Sequence, residues 1–367
     1  MPLFMDFHKN LSVSIEDVKK AHIADERIQG KYGVIYHQFW VNEIDGTVFC
    51  LMEGPDKESC AAVHREAHGN VACSIVEVSA GFYKLFMGNG HTIDQGHVKY
   101  ADGSPDLAIR HILAINIQGL TSLTNAGEYR SLKPPYQAKD LALSLLSKYA
   151  GREVNRLHDD SLIAVFDDSW NALNCGLEIQ KVLLGRKSIV ENHEWNIAFR
   201  MGLCAGQPLT QTGAFFSDTI TMARRLCSIA NDNELLISQE LQKYCSEKAF
   251  AGGPGQVRVI NPREQQFITS LFAISEEKLA DEHFTVESLS RNIGMSRPKL
   301  YRTMVSLTGK SPNDFIRDLR MDKAVQLLKQ KAGNISEIAL EVGYNNPSYF
   351  AKCFQTRYGC TPSRFDA

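Results

Sequence analysis

Short β-type runs and amphipathic helical runs alternate along the first 88 residues. In chain order they are Leu3–His8, Ser14–Tyr32, Val34–Trp40, Thr47–Met52, Asp56–His68 and Ser74–Val78. The segment Asn42–Gly46 carries a hairpin signal between the two middle strands. This β-α-β-β-α-β order predicts a ferredoxin-like α/β sandwich over residues 1–88.

The hydrophobic pattern divides the rest of the chain into two further folded stretches. Residues 89–108 are rich in Gly, His and Asp, lack apolar periodicity and are predicted to be a linker. Residues 109–250 mix strand-like and helical runs, which predicts an α/β domain. A second linker is predicted over residues 251–267, and residues 268–367 are almost entirely helical by period. The sequence therefore predicts a multidomain α+β protein.

The helical C-terminal stretch contains two helix-turn-helix units. In the first, Phe284–Gly309, Thr285 is placed to cap one helix, Gly294 to make the turn, and Ser296 to cap the next helix. Basic side chains near the start of a helix can reach guanine edges and phosphates in a major groove. The outward-facing basic residues of this second helix are Arg297, Lys299 and Arg302.

The second unit spans Ile335–Pro362, with Gly343 at its turn. A long helix over Asp314–Gln330 connects the two units and would hold their second helices at a fixed spacing, so that both enter successive major grooves of double-stranded DNA. The polar groups that the second unit offers are Asn345, Asn346, Ser348, Tyr349, Lys352, Gln355 and Arg357.

Residues 268–366 resemble the AraC-type family of transcription regulators throughout. The resemblance implies a sequence-specific DNA-binding regulator. It rests on an ordered set of positions that includes Leu289, Gly294, Ser296, Leu300, Arg302, Gly309, Pro312, Arg320, Ala324, Ile338, Gly343, Phe350, Phe354, Gly359 and Pro362.

The charge distribution and the cysteine content are consistent with a DNA-binding regulator. The formal net charge is −2, but residues 276–367 carry 14 Lys and Arg against 11 Asp and Glu, whereas residues 1–90 carry 8 against 12. The nine cysteines are scattered without a Cys-x-x-Cys pair, which disfavours a disulfide framework or a zinc ribbon. The apolar runs are too short to cross a bilayer and the N-terminus lacks a signal-peptide pattern, so the protein is expected in the cytoplasm.

Histidine and acidic residues recur at chelating spacings in residues 1–88. Asp6 and His8 share one face of the first strand, and His64 and His68 lie one helical turn apart. Imidazole with carboxylate or thiolate donors suits nickel, zinc or copper better than magnesium or calcium. Spacing alone leaves a structural alternative open, in which these histidines cap helices or pack at an interface.

Residues 2–87 also resemble a family of small nickel-binding proteins with a dimeric ferredoxin-like fold. The matching segments, in order, are MDFH, AHIADE, KYGV, FW, TVFCLMEGPD and VHREAHG. The resemblance implies a nickel ion or another transition metal as cofactor, with Asp6 and Asp25 as ligands or as groups that orient the ligands. The ligands that it implies are His8, His22, Cys50, His64 and His68.

Residues 109–245 resemble the catalytic domain of class III adenylate and guanylate cyclases. Such a cyclase holds two metal ions with two carboxylates; here one position is Asn116, which carries no charge, and the other is Asp160. The family's transition-state Asn, helix Arg and base-selecting Lys fall at Thr221, Arg225 and Arg156. The lost carboxylate predicts an inactive domain, and the two-chain site of the cyclase fold implies a homodimer.

These expectations combine into a one-component regulator that senses a transition metal or a small ligand and binds DNA. The alternative from another class is an active nucleotide cyclase fused to a DNA-binding domain. A third alternative is a metal-storage protein whose DNA binding does not respond to metal.

Overall fold

The computed structural model describes residues 1–9, 12–88, 91–118, 134–154, 161–185, 188–190, 193–195, 197–210, 213–245 and 256–365. The chain is divided into two units. The first comprises Met1–His111, Val165–Ser169 and Ala205–Thr221, and the second comprises Ile112–Ala164, Trp170–Cys204 and Met222–Ala367. Mixed helix and sheet in a multidomain α+β arrangement confirm the predicted fold class.

The N-terminal elements follow the predicted order. They are β1 (Leu3–Phe7), α1 (Ile15–Ile28), a 3-10 turn (Gln29–Tyr32), β2 (Ile35–Asn42), β3 (Thr47–Glu53), α2 (Lys57–Ala67) and β4 (Ser74–Glu77). β1 pairs antiparallel with β3 and β4, and β2 pairs antiparallel with β3, which gives the ferredoxin-like order β4-β1-β3-β2. Ser14 and Asp17 form a reciprocal capping box at the start of α1. Phe4, Val18 and Phe39 are among the residues of the core of this domain.

The stretch predicted as the first linker is folded. Its elements, preceded by α3 (Ala80–Met87), are β5 (His91–Asp94) and β6 (His97–Tyr100). They form an antiparallel hairpin, and β6 joins the edge of the first sheet parallel to β2, so that the full order is β4-β1-β3-β2-β6-β5. We refer to His91–Tyr100 as the edge hairpin.

Polar contacts hold the segment that follows the edge hairpin, which explains why apolar periodicity did not reveal it. The carboxylate of Asp106 is fully buried and accepts hydrogen bonds from Trp40 Nε1 (2.9 Å), Tyr100 OH (3.2 Å) and both terminal nitrogens of Arg110 (2.9 and 2.7 Å). Arg110 is also fully buried and its Nε donates to the carbonyl of Phe86 (2.6 Å). These pairings satisfy two buried charges that would otherwise be costly.

The central elements build a second sheet. They are β7 (Arg110–Ile117), α4 (Pro134–Lys148), β8 (Arg152–Glu153), β9 (Ser161–Phe166), α5 (Ser169–Leu184), β10 (Ser188–Val190), β11 (His193–Trp195), β12 (Phe199–Gly206), α6 (Ser217–Ile229), β13 (Glu234–Ile237), α7 (Gln239–Gln242) and β14 (Gln256–Val259). Six strands are ordered β14-β13-β12-β7-β9-β8, and β10 pairs with β11. The stretch predicted as the second linker, residues 251–267, is folded where it is described. β14 pairs parallel with β13 and extends the sheet, and a helix begins at Pro262.

The C-terminal helices confirm the predicted helical pattern. They are α8 (Pro262–Lys278), α9 (Val286–Ile293), α10 (Arg297–Thr308), α11 (Pro312–Lys329), α12 (Ile335–Glu341), α13 (Pro347–Tyr358) and α14 (Pro362–Phe365). Thr285 caps α9 by accepting from the backbone N–H of Ser288, and Gly294 ends that helix with φ +73°. Ser296 precedes α10, but its side chain makes no capping hydrogen bond with the described residues.

The two helix-turn-helix units bury apolar side chains at equivalent positions, about fifty residues apart. Leu300 corresponds to Phe350 and Met304 to Phe354, and all four side chains are buried. Among the described residues, none of the helices is both long enough and apolar enough to cross a membrane.

Candidate metal centre and nucleic-acid interface

A cavity of about 130 Å³ lies in the ferredoxin-like domain, where the sheet meets α1 and α2. Asp6 lies in β1 and His8 directly after it on the same face, as the two-residue spacing predicts, and His8 lines the cavity. Helix α2 contributes His64 from its last turn and His68 from the residue that ends it. The lining of the cavity includes His8, His22, Asp25, Cys50, His64 and His68.

Two groups of three potential ligands occur in this region. In the first group, Asp6 Oδ2 lies 2.5 Å from His64 Nε2 and 3.3 Å from His8 Nε2. Asp6, His8 and His64 are buried, and one donor atom of each lies within 4.8 Å of the others. Because Asp6 and His8 are two residues apart along the strand, the carboxylate of Asp6 and the imidazole of His8 both lie near His64 of α2.

The second group joins α1 and α2. Nδ1 of His64 lies 3.1 Å from His68 Nε2 and 3.3 Å from Asp25 Oδ2. The other nitrogen of His68, Nδ1, accepts from the backbone N–H of Asn70 at 3.2 Å, which leaves Nε2 directed at Asp25. His64 thus belongs to both groups and presents one ring nitrogen to each.

His22 and Cys50 line the cavity without belonging to either group of three. The His22 ring is 2% exposed, and neither of its nitrogens has a hydrogen-bond partner among the described residues. The backbone N–H of Cys50 donates to Asp6 Oδ1 at 2.7 Å, and burial raises the pKa of its thiol well above the usual value. The structure thus brings three of the five predicted ligands, His8, His64 and His68, into close groups with Asp6 and Asp25.

Electrostatics tie the acidic and imidazole groups together. Burial would raise the pKa of Asp6, but the adjacent His8 charge and the hydrogen bond from His64 outweigh burial and lower it. Burial would lower the pKa of His64, but hydrogen bonds to Asp25 and Asp6 raise it to about 10. Without a metal, the His64 imidazolium is therefore paired with the carboxylates of Asp6 and Asp25.

The donor set fits a transition-metal ion. His8, His64, His68 and Asp25 line one small cavity, and the Asp6 carboxylate contacts His8 and His64 beside it. His22 offers buried nitrogens that lack partners in the described part of the chain. Such donors suit nickel, zinc or copper. The alternative that the sequence left open, a purely structural set of histidines, is consistent with the ion pairs but leaves the His22 nitrogens unexplained.

Sequence reasoning missed Tyr36 as a member of the cluster. Its hydroxyl lies 3.2 Å from His64 Nε2, and burial raises its pKa above the usual value. Tyr36 is 4% exposed and occupies a position in β2 where an apolar side chain would satisfy the alternation equally well. The sequence pattern therefore offered no signal for it.

The predicted DNA-contacting residues of the first helix-turn-helix unit are exposed. Arg297, Lys299 and Arg302 all lie in the first two turns of α10. Arg297 forms an ion pair with Glu287 of α9, whereas no ion pair of Lys299 or Arg302 is found within the described part of the chain. Tyr301, between them, is 53% exposed.

The second unit presents a less basic surface. Ser348, Tyr349, Lys352 and Gln355 are exposed on α13, and Asn345 is exposed just before it. Asn346 instead caps α13: its side-chain oxygen accepts from the backbone N–H groups of Ser348 and Tyr349, both at 3.0 Å.

Arg357 differs from the other predicted contacts. It lies in the last turn of α13, where its guanidinium pairs with Asp318 and with Asp322 (2.6 Å), both on α11. Burial would lower its pKa, but the charge of Asp322 raises it. Arg357 is exposed, but two carboxylates of α11 hold its guanidinium, so it also supports the contact between α11 and α13.

The positions that resemble cyclase residues are partly described. Asn116 is half-buried on β7, and Thr221 and Arg225 are half-buried on α6. Arg225 Nη2 donates to Glu276 Oε2 of α8 at 2.8 Å, and its guanidinium lies 5.2 Å from the ring centre of Phe272. Arg156 and Asp160 lie outside the described residues.

Two family models match this chain. Residues 289–367 match a model described as a helix-turn-helix domain, and residues 4–78 match the model of the nickel responsive protein SCO4226-like family.

Among curated relatives, Histidine kinase P4 of Formosa agariphila is 38% identical over 106 residues, 29% of this chain and 8% of the relative. An uncharacterized HTH-type transcriptional regulator of Haemophilus influenzae is 34% identical over 103 residues, 28% of this chain and 34% of the relative. The lactose operon transcription activator of Staphylococcus xylosus is 26% identical over 211 residues, 54% of this chain and 68% of the relative. The chain therefore spans well under two thirds of the first two relatives.

Solved structures are similar to separate parts of the chain. SCO4226 from Streptomyces coelicolor is 35% identical and covers 21% of this chain and 94% of its own, with a TM-score of 0.20. The DNA-binding domain of AdpA, in complex with a target DNA, is 28% identical and covers 27% and 87%, with a TM-score of 0.26. An adenylate/guanylate cyclase/hydrolase from Silicibacter pomeroyi is 24% identical and covers 37% and 78%, with a TM-score of 0.30.

Proposed function

We propose that this chain is a DNA-binding transcription regulator controlled by a transition metal. The proposal is supported by its C-terminal residues, which form an AraC-type helix-turn-helix domain, and by its N-terminal residues, which form a domain of the nickel-responsive type. Its division into a metal domain (1–88, extended by the edge hairpin), a cyclase-like domain (109–250) and a DNA-binding domain (268–367) belongs to the proposal. The protein would act in the cytoplasm as a homodimer on double-stranded DNA.

The observation that carries the DNA-binding part is the pair of equivalent helices α10 and α13. Arg302 and Lys352 occupy matching positions on them, about fifty residues apart, and both side chains are exposed. Each helix is fixed by a buried apolar pair, Leu300 with Met304 and Phe350 with Phe354. Cations held on rigid helices can neutralise phosphates and read base edges in the major groove.

The metal-sensing part is supported by the cluster around His64. His8, His64 and His68 would supply imidazole nitrogens, Asp6 and Asp25 would supply or orient carboxylates, and His22 and Cys50 would complete the shell from the cavity wall. A bound nickel ion, or another transition metal, would replace the ion pairs of His64 with Asp6 and Asp25 by coordination bonds. The regulator would then differ between its two states in the packing of β1, α1 and α2.

The cyclase-like domain would relay dimer geometry rather than catalyse. Two features support this part of the proposal: Asn116 lacks the charge needed to hold a metal ion, and Arg225 is already paired with Glu276.

The decisive experiment measures DNA binding by the full chain with and without nickel. A specific site is first selected from random duplexes, and its affinity is then measured by fluorescence anisotropy at fixed salt. We expect the affinity to change at least tenfold on adding stoichiometric nickel. The matched control is the double variant His64→Ala, His68→Ala, whose DNA affinity should not respond to nickel.

Three outcomes separate the alternatives. Lack of sequence preference for any duplex would refute the regulator. Specific DNA binding that is indifferent to nickel, together with tight nickel binding, would favour the metal-storage alternative. Formation of a cyclic nucleotide from ATP or GTP with manganese, lost in Asp160→Ala, would establish the cyclase alternative.

A further inference from the structure

The turn of the edge hairpin lies directly against His22. Gly96 has φ +81°, and a Cβ atom built there would lie 2.4 Å from both Cδ2 and Nε2 of the His22 ring. Real Cβ atoms do not approach ring atoms this closely, so glycine is required by contact as well as by backbone conformation. The hairpin follows residue 78, where the match to the nickel-responsive family ends.

The hairpin is fixed to the elements that carry the cluster. The carbonyl of Gly96 accepts from the backbone N–H of Phe39 in β2 at 2.8 Å. The Phe39 ring contacts His22, with ring centres 5.1 Å apart, and stacks on His97 of the hairpin at 5.4 Å. Asp94 pairs with Lys19 of α1 at 3.1 Å. The turn therefore cannot move away from His22 without breaking contacts to both β2 and α1.

Packing, rather than hydrogen bonding, sets the orientation of the His22 ring. Neither of its nitrogens has a hydrogen-bond partner among the described residues, and its closest ion-pair partner there, Glu26 Oε1, is 3.5 Å from Nε2. A buried imidazole without partners is unfavourable unless a ligand completes it. Gly96 and Phe39 are the neighbours that hold this ring at the cavity wall.

We propose that the edge hairpin, through Gly96, positions the His22 imidazole for metal binding, so that the metal site of this chain depends on residues beyond the ferredoxin-like domain. The proposal rests on the metal site of the proposed function. Gly96 touches no metal in it; it is a positioning residue that acts through His22.

The chain offers a matched control. Gly103 has φ +84°, nearly the same as Gly96, but a Cβ atom there would meet no described atom within 4 Å. Gly96→Ala and Gly103→Ala therefore introduce the same backbone strain, and only the first adds an overlap with His22. We expect nickel affinity, measured by isothermal titration calorimetry on the full chain, to fall about tenfold or more in Gly96→Ala. Gly103→Ala should stay within about twofold of wild type.

A second measurement keeps the test decisive if Gly96→Ala folds poorly. In the metal-free protein, Gly96→Ala should lower the melting temperature more than Gly103→Ala does. In a His22→Ala background the 2.4 Å overlap is gone and only the 3.1 Å approach to Phe39 Cε1 remains, so most of the difference in melting temperature between the two glycine variants should disappear. A difference that stays as large without the His22 ring would overturn the proposal.

The remaining outcomes distinguish failure of the metal site from failure of the role proposed for the edge hairpin. If the wild type binds no transition metal, the metal site and this proposal both fall. If the wild type binds nickel and Gly96→Ala binds it as tightly as Gly103→Ala, the metal site stands and the role of the hairpin is refuted.

Discussion

His64 is the side chain on which both groups of potential ligands depend. Its Nε2 meets Asp6 and its Nδ1 meets His68 and Asp25. We therefore expect His64→Ala to abolish tight nickel binding, whereas His68→Ala removes one donor of one group and should lower the affinity about 10- to 100-fold. Calorimetric titration of the full-length variants measures both effects.

The control for this pair is His37→Ala. His37 is exposed on β2 and pairs with Glu53 at 3.3 Å, away from the cavity lining. Its nickel affinity should equal that of wild type. Equal losses in all three histidine variants would point to general destabilisation instead of ligand removal.

Proton competition at His64 gives the cluster a definite pH dependence. Its pKa is raised from the ordinary 6.5 to about 10, so its ion pairs contribute stability that is fully present below pH 6.5 and is lost as pH rises through about 10. A metal requires the deprotonated ring, so apparent nickel affinity should increase between pH 6 and pH 8, with proton release on binding. Titrations in buffers of different ionisation enthalpy detect those protons; nickel binding without proton release would contradict the protonated network.

At the level of residues, local spacing predicted some ligands and could not predict others. His64 with His68, and Asp6 with His8, follow from helical and strand periods. Asp25 and Tyr36 reach His64 only because α1 and β2 pack beside α2, which is tertiary information. Arg357 shows the converse. Its position in the sequence predicted a contact with DNA, whereas in the folded domain its guanidinium pairs with two carboxylates of α11.

Elements with strong apolar periodicity were predicted closely. The β-α-β-β-α-β order and the two helix-turn-helix units depend on regular burial and on caps such as Thr285, and the structure reproduces them. The edge hairpin and β14 were missed because they are short additions to sheet edges. Their stability comes from pairing to a preexisting strand and from polar contacts such as those of Asp94, which a single-sequence pattern does not display.

Helices α10 and α13 occupy equivalent places in the two helix-turn-helix units. Arg302→Ala on α10 and Lys352→Ala on α13 remove equivalent exposed cations, and each should weaken binding to the selected DNA site. If the lost contact is to phosphate, the slope of log affinity against log salt should decrease by about one in each variant. Lys323→Ala, an exposed lysine on α11, is the matched control and should leave the slope unchanged.

Arg357→Ala tests the distinction between a surface cation and a structural one. Because its guanidinium pairs with Asp318 and Asp322, its removal should lower the melting temperature of the full chain. The salt slope should stay at the wild-type value. A reduced slope with an unchanged melting temperature would return Arg357 to the DNA-contacting surface.

In the proposed regulator, a metal signal leaves the N-terminal domain through residues that contact more than one element. Asp106 has this property within the first unit: it joins Trp40 of β2, Tyr100 of the edge hairpin and Arg110 at the start of β7. β2 carries Phe39 beside His22, and Arg110 begins β7, the first strand of the second sheet along the chain. The buried pair of Asp106 and Arg110 therefore connects the neighbourhood of the proposed metal site to the start of β7.

Asp106→Asn is expected to destabilise the first unit and to reduce the nickel response of DNA binding together. It leaves the fully buried guanidinium of Arg110 without its main counter-charge, and breaking such a pair costs about 3–5 kcal/mol. Asp102→Asn is the matched control, because Asp102 is exposed and its hydrogen bonds to other described residues come from Ser104 of the same turn. Scanning calorimetry and anisotropy with and without nickel report the two effects. A variant that is destabilised but responds fully to nickel would show that the signal leaves the metal domain by another route.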